Sequence, residues 1–434
     1  MIPTIIISVT TFVLVILSIL LFPYIKIKRF RLDTYWIIAL LGASILLIFS
    51  FAPIKNVGEQ LISNAAINPI KILVLFFSMT IISVFLDELG LFKYLASVAS
   101  SKAKENQFIL FLMFYFLTVV LTVFTSNDVV ILTLTPFICF FAKRSRINPI
   151  PYLVAEFVAA NTWSLMFVIG NPTNIYLATS AGIGFVEYFK VMGVPTFIAG
   201  IVELGLLLLL FYKQLRVPLQ SNEVTYHVED KVATIVGVAH LGVCLVFLVI
   251  SSYINLEMWL ISLICASSLT IFMIIYSLFN KSNWSHIGYT FRRLPYQLIP
   301  FFLSMFVIVV SLNYQGITAK IATFLGSNGT IWVYGYSSFL SSNLINNIPM
   351  SILFTDIAKT LEGVNFTRAI YASIIGSNIG AFLTPIGALA GIMFSGLVHR
   401  NSVRYTFLDF IKYGAIISIP VISICLLMAS LFIH

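Results

Sequence analysis

Stretches of about 20 apolar residues follow one another from end to end of this 434-residue chain. Each is long enough to cross a hydrocarbon core of about 30 Å. Only 9% of the residues are charged and 60% are hydrophobic, with a mean hydropathy of +1.03, where an ordinary soluble domain is about a quarter charged. The chain therefore reads as an all-α polytopic membrane protein. Its net charge of +9 calls for no nucleic-acid partner, because the basic residues cluster in short loops, as cytoplasmic loops do. The first apolar run, Ile2 to Pro23, is too long for a signal h-region and lacks a basic n-region, so it is expected to be retained as a span.

Spans are expected at 3–23, 34–53, 68–90, 150–180, 192–212, 231–253, 257–279, 295–313, 368–398 and 406–432, with two odd regions at 107–142 and 330–358. A polar segment, 213–230, separates two halves, 1–212 and 231–434, that repeat one order: three spans, an odd region, an over-long span, a last span. Each odd region is too long for one crossing and short for two. Each has a polar tip near its middle, "TSND" (125–128) in the first and "SSNLINN" (341–347) in the second. Both are read as re-entrant helical hairpins. The over-long spans carry "GNPTN" (170–174) and "GSNIGAFLTPIG" (376–387). Proline removes a backbone donor and glycine weakens a helix, so each is expected to be a discontinuous helix.

Placing 26–31, 93–104, 143–146, 213–231, 281–293 and 400–404 in the cytoplasm collects 18 of the 25 Lys and Arg. Both termini then lie outside, 213–230 is a cytoplasmic linker, and the two repeats are inverted relative to one another. Two tips and two broken helices facing across such an axis are the layout of a secondary transporter. Its solute site lies near the midplane, with half-helix N-termini and freed carbonyls aimed at it.

The candidate solute- and ion-binding residues follow from that layout: Thr125, Ser126, Asn127 and Asp128 at the first tip; Gly170, Asn171, Pro172, Thr173 and Asn174 at the first break; Ser342, Asn343, Asn346 and Asn347 at the second tip; Ser377, Asn378, Thr384, Pro385 and Gly387 at the second break. They are mostly neutral groups with paired donors and acceptors, suited to a small oxygen-rich solute. No basic residue falls among them. Asp128 stands apart, because a mid-membrane carboxylate costs roughly 2.5–3.5 kcal/mol on insertion scales and is a functional residue by default. It is the first candidate for proton coupling, and Glu203, mid-span in 192–212, is the second. Glu156, Asp87, Asp356 and Asp409 lie nearer span ends and are expected at the interface.

The four cysteines (Cys139, Cys244, Cys265, Cys425) are isolated in apolar stretches, so neither a disulfide framework nor a zinc site is indicated, and they read as small buried hydrophobes. Hydrolase, Walker and Rossmann motifs are absent. The chain is expected to be no enzyme, to carry no cofactor, and to run on a proton or sodium gradient or with a separate energising subunit.

"FLDELGLFKYLA" (85–96), "SNDVVILTLTP" (126–136), "FLSSNLINNIPMSIL" (339–353) and "YASIIGSNIGAFLTPIGALAGIMF" (371–394) resemble the ArsB arsenite permease family. That family sits in a superfamily with NhaD-type antiporters, citrate–metal permeases and dicarboxylate symporters. The resemblance runs nearly end to end. It implies two inverted repeats, often as a homodimer in the cell membrane. On its pattern Asn127 and Asp128 match the first hairpin, Asn346 and Asn347 the second, and Thr384, Pro385 and Gly387 the second break. It also implies expulsion of arsenite or antimonite in exchange for protons, alone or with a soluble ATPase. The chain departs from the pattern at Asn161, where an acid is usual, at "GNPTN", where a serine-led "SN" is usual, and at Ser377-Asn378, where a Cys-Asp pair is usual. Two alternatives stand beside the metalloid reading. One is a sodium- or proton-coupled permease of small anions such as citrate, dicarboxylates or sulfate, with sodium held at Asn127, Asn171 and Asn343. The other is a sodium/proton antiporter. An intramembrane enzyme is disfavoured, since Asp128 has no partner acid and no Ser/His pair is present.

Overall fold

The computed structural model describes residues 1–434 except 23, 28–29, 63–67, 104–105, 219–225, 252, 280–283 and 434. Lys28, Arg29, Lys104, Lys281 and the middle of the linker thus fall outside the described residues.

The first half begins with helix α1 (Ile2–Leu21), a two-stranded antiparallel hairpin of β1 (Tyr24–Ile27) and β2 (Phe30–Asp33) that pairs Tyr24 with Asp33, then α2 (Thr34–Ile48) and α3 (Ile54–Ile62). It continues with α4 (Pro69–Glu88), α5 (Leu91–Lys102), α6 (Gln107–Phe124), α7 (Asn127–Arg144), α8 (Ile150–Trp163), α9 (Pro172–Ser180) and α10 (Phe185–Leu215). The second half runs α11 (Lys231–Ile250), α12 (Met258–Phe279), α13 (Trp284–Arg292), α14 (Leu298–Tyr314), α15 (Ile317–Leu325), α16 (Thr330–Ile345), α17 (Asn347–Ala358), α18 (Gly363–Gly380), α19 (Leu389–Arg400) and α20 (Phe407–Ser430). Among the described residues seven helices are long and apolar enough to cross a membrane, and α14 with α15, bent by 79°, would make an eighth if the pair is one span. The small hairpin at 24–33 replaces the plain loop expected there.

Local chemistry sets the breaks. Asparagine side chains cap α4 (Asn68), α6 (Asn106), α9 (Asn171) and α17 (Asn346), each accepting from backbone amides of the first turn. Pro69 and Pro172 open their helices where a missing N–H costs nothing. At the second tip a single residue turns the chain: Asn346 sits at φ 72°, a backbone that asparagine tolerates better than most residues.

Packing between the halves is reciprocal. Helix α2 packs on α14 as α12 packs on α4, α9 on α17 as α19 on α7, and α10 and α20 pack on each other. Small residues permit the close approaches: a Cβ at Gly376 would lie 2.0 Å from Ser338 Oγ, so α16 and α18 could not touch as they do with any larger residue there.

Candidate functional site

Four helices, α7, α9, α17 and α19, begin at one place, and a fifth, α14, opens beside it. The first residues of α7 (Asn127, Asp128), α17 (Asn347, Ile348) and α19 (Leu389, Ala390), with Asn171 and Pro172 opening α9, Ala388 capping α19 and Leu298 opening α14, enclose a cavity of about 10 Å³, enough for about one water. Each helix N-terminus carries the positive end of its dipole, worth about half a positive charge. The cavity is therefore electropositive by its backbone alone, and Asp128 is the acid within it. Asp128 borders solvent-accessible space rather than sealed core.

Asp128, Leu298 and Leu389 also line a second, far larger cavity of about 730 Å³, within the range of small-molecule sites. Its walls carry Tyr35, Thr80, Leu132, Pro385 and Ile386, and Asp33, Arg293, Gln297, His399 and Arg400 line it as well. Burial pushes the Asp33 carboxyl above its ordinary value, with Arg400 opposing.

Behind the small cavity, the candidate residues of the two breaks are tied together. Asn378 Oδ1 accepts from Asn171 Nδ2 (2.9 Å) and Ser164 Oγ (2.8 Å), and Asn378 Nδ2 donates to Asn174 Oδ1 (2.6 Å) and Ile374 O (2.8 Å). Ser377 Oγ donates to Thr173 Oγ1 at 2.8 Å, and Thr173 donates to Asn171 Oδ1 through its amide and its hydroxyl. All are buried. At the first tip Asn127 Nδ2 donates to Asn161 Oδ1 (3.2 Å), and Asn127 Oδ1 accepts from the Asp128 amide (2.9 Å).

The second tip docks on its own break. Asn343 Nδ2 donates to Gly380 O (3.0 Å), Asn343 Oδ1 accepts from Thr384 (2.7 Å), Asn346 Nδ2 donates to Ile386 O (2.9 Å), and the Asn347 amide donates to Gly387 O (3.0 Å). Both break glycines are sterically required. A Cβ at Gly170 would lie 2.3 Å from Ser164 O, and one at Gly387 2.7 Å from Gly380 O.

Of the sequence candidates, Asn127, Asp128, Asn171, Pro172 and Asn347 face the small cavity and Pro385 the large one. Thr173, Asn174, Ser377 and Asn378 form the bridge behind, and Asn343, Asn346, Thr384 and Gly387 the second docking. Thr125 and Ser342 donate to carbonyls of their own helices, Leu121 O and Phe339 O, and Ser342 Oγ also accepts from Asn343 Nδ2 (3.4 Å). The Ser126 hydroxyl is buried with no protein partner among the described residues. Glu203 lines neither cavity; it is buried on α10 against Tyr115 and Thr162.

The structure adds three residues that the sequence did not place. Arg293 lines the large cavity that Asp128 also lines. Asp87 is buried within the protein, 2% exposed, 2.6 Å from Arg293 Nη1, and accepts from Thr133 of α7 (2.7 Å). Glu156 is likewise buried, with Thr135 of α7 donating at 2.9 Å. In both cases a helix in contact on the protein side covers a residue that sits near a span end in sequence. Arg293 also pairs with Glu88, so the end of α4 holds an ion triad that joins the halves. The "DE" at 87–88 and the "RR" at 292–293 are visible in the sequence; their meeting is not.

The sequence profile of the CitMHS family, described as "Citrate transporter", matches residues 12–376. An arsenical pump membrane protein of Escherichia coli is 26% identical over 363 residues, 81% of this chain and 84% of that protein. An uncharacterized transporter of Synechocystis is 24% identical over 426 residues, 92% of each. The solved structure of the Alcanivorax borkumensis YdaH transporter superposes on the whole chain and on 98% of its own, with a TM-score of 0.57 at 13% identity, which is a likeness of fold. With most of its length matched by one profile and its helices in a transporter's arrangement, the chain belongs to the CitMHS family and is a multi-span membrane transporter of the ArsB/CitMHS type, not an enzyme.

Proposed function

We propose that the chain is a proton-coupled exporter of trihydroxylated metalloids of the arsenite class. The observation that carries this reading is the single carboxylate of Asp128 set among four helix N-termini and the amides of Asn127, Asn171 and Asn347. Arsenite is uncharged at neutral pH and carries hydroxyls that both donate and accept. Asp128, at the wall of the large cavity where such a solute fits, accepts from one hydroxyl while neighbouring amides donate to the others. A proton on Asp128 removes its charge and turns one oxygen from acceptor to donor, so solute and proton compete for one residue, and competition of this kind yields exchange. The Escherichia coli relatives named as arsenical pump proteins support the choice of solute.

The two tips are re-entrant in this reading. They meet the two broken helices at one cavity, so they stop where those helices are interrupted. Each half then crosses five times, by α1, α2, α4, α8 with α9, and α10 in the first. An odd count turns the second half over, which makes the repeats inverted. Asp33, Arg293 and Arg400 around the large cavity all flank loops assigned to the cytoplasm by charge, so the cavity opens inward. Lys71 and Glu257 line another cavity, of about 470 Å³, on the opposite side.

A second reading, a carrier of small organic or inorganic anions, is favoured by the same N-termini and by Arg293 on the cavity wall. One comparison separates them. Everted vesicles bearing the chain are assayed with labelled arsenite, antimonite, citrate, succinate and sulfate under an acid-inside gradient. Metalloid accumulation supports the lead; citrate or sulfate movement without it establishes the anion carrier.

A further inference from the structure

We propose that the 470 Å³ cavity is the far half of the solute route, and that Tyr176 of α9 and Phe302 of α14 are the gate between it and the cavities at Asp128. This rests on the transport reading and adds where the route continues. Three helices show how close the cavities come. On α9, Pro172 lines the small cavity and Ile175 the 470 Å³ one, a rise of about 4.5 Å along the axis. On α4, Lys71, Ile72 and Leu75 line the 470 Å³ cavity, while Phe76 and Thr80 line the 730 Å³ one. Adjacent residues, Leu75 and Phe76, thus border cavities on opposite sides. On α14, Leu298 lines both cavities at Asp128.

The wall between them is thin and apolar. One turn past Pro172 is Tyr176, and one turn past Leu298 is Phe302. Their rings meet edge to face, 5.6 Å between centroids and 71° between planes. Both are buried, as are Leu75 and Phe76 of α4, which packs on α9 and on α14. An apolar constriction of this kind bars a hydrated solute, whose hydroxyls would lose their partners within it. Passage therefore requires Tyr176 and Phe302 to part, giving the access from both sides that a carrier needs. Charge fits the same solute. Lys71 and Glu257 are the ionisable residues lining the far cavity, and they neutralise each other at 2.7 Å, with Trp259 Nε1 donating to Glu257 at 2.8 Å. A cavity whose charges cancel suits release of an uncharged solute.

The test uses vesicles of each orientation bearing the full-length chain, treated with sulfonatoethyl methanethiosulfonate, an impermeant thiol reagent, and read by intact mass. The four native cysteines are buried. Leu132 lines the 730 Å³ cavity and Thr179 the 470 Å³ one. Leu132→Cys should react from one face only, and Thr179→Cys only from the other. Adding Phe302→Ala, or Tyr176→Ala if the first fails to fold, is expected to turn far-face labelling of Leu132→Cys from undetectable to complete. Adding Tyr176→Phe, which keeps the ring, should leave it undetectable. Labelling of both cysteines from one face overturns the proposal, as does one-sided labelling of Leu132→Cys in the folded alanine variants or far-face labelling with Tyr176→Phe. The readout is labelling and not flux, so the gate and the choice of solute can fail separately.

Discussion

Asn171 of the first break donates a 2.9 Å hydrogen bond to Asn378 of the second half, and Asn378 returns a 2.6 Å bond to Asn174. This exchange fixes the two interrupted helices against each other behind the cavity. Asn378 uses its amide nitrogen twice, toward Asn174 Oδ1 and Ile374 O, and a carboxylate has no hydrogen to give either. Asn378→Asp is therefore expected to destabilise the chain by about 1–3 kcal/mol through unmatched buried acceptors. A lowered melting temperature in detergent would show it; an unchanged one would mean that the bridge can rearrange.

Arg293 and Asp87 make the second inter-half contact. Removing one member of a buried pair strands the other, at roughly 3–5 kcal/mol when both are fully buried. Arg293 keeps 30% of its side chain exposed, so Arg293→Gln is expected to cost less, about 2 kcal/mol. Asp87→Asn should cost less still, because Arg293 keeps Glu88 as its partner and residue 87 keeps an acceptor for Thr133. The double variant should be more stable than the sum of the singles implies. Strict additivity in thermal melts would contradict the pairing.

The Lys71–Glu257 pair gives a pH signature. Hydrogen bonding from Lys71 holds the Glu257 carboxyl below its ordinary value of 4.5. A lowered native pKa adds stability above the unfolded value and loses it as pH falls through the native one. Glu257 is 59% exposed, which limits the effect to below about 1 kcal/mol. The stability gap between the parent chain and Glu257→Gln should be constant from neutral pH down to about 5 and close below 4.5. A gap that persists in acid would rule out this origin.

Sidedness is open to direct labelling. Lys143 and Glu362 are both exposed, and the four native cysteines are buried. With an impermeant maleimide, Lys143→Cys should react only from the cytoplasm and Glu362→Cys only from outside. The opposite pattern would invert the topology, and labelling of both from one face would remove the inverted repeat.

Much of this architecture is written locally in the chain. Apolar runs mark the long helices, and "TSND", "SSNLINN" and "GNPTN" mark where helices stop, because asparagine caps and proline openings act within a few residues. The convergence of the four N-termini is less legible, since it depends on packing between the halves. Arg293 escaped notice for the same reason: it precedes α14 in one half and finds Asp87 at the end of α4 in the other. Asp87 and Glu156 sit near span ends in the sequence, and their cover by α7 is a tertiary contact that no local pattern marks.

The account turns on Asp128. Its most direct test is arsenite accumulation in proteoliposomes whose lumen is more acidic than the bath, comparing the parent chain with Asp128→Asn. The account predicts gradient-driven accumulation by the parent chain and none by the variant, at equal folded protein in the bilayer. Undiminished accumulation by Asp128→Asn would contradict it.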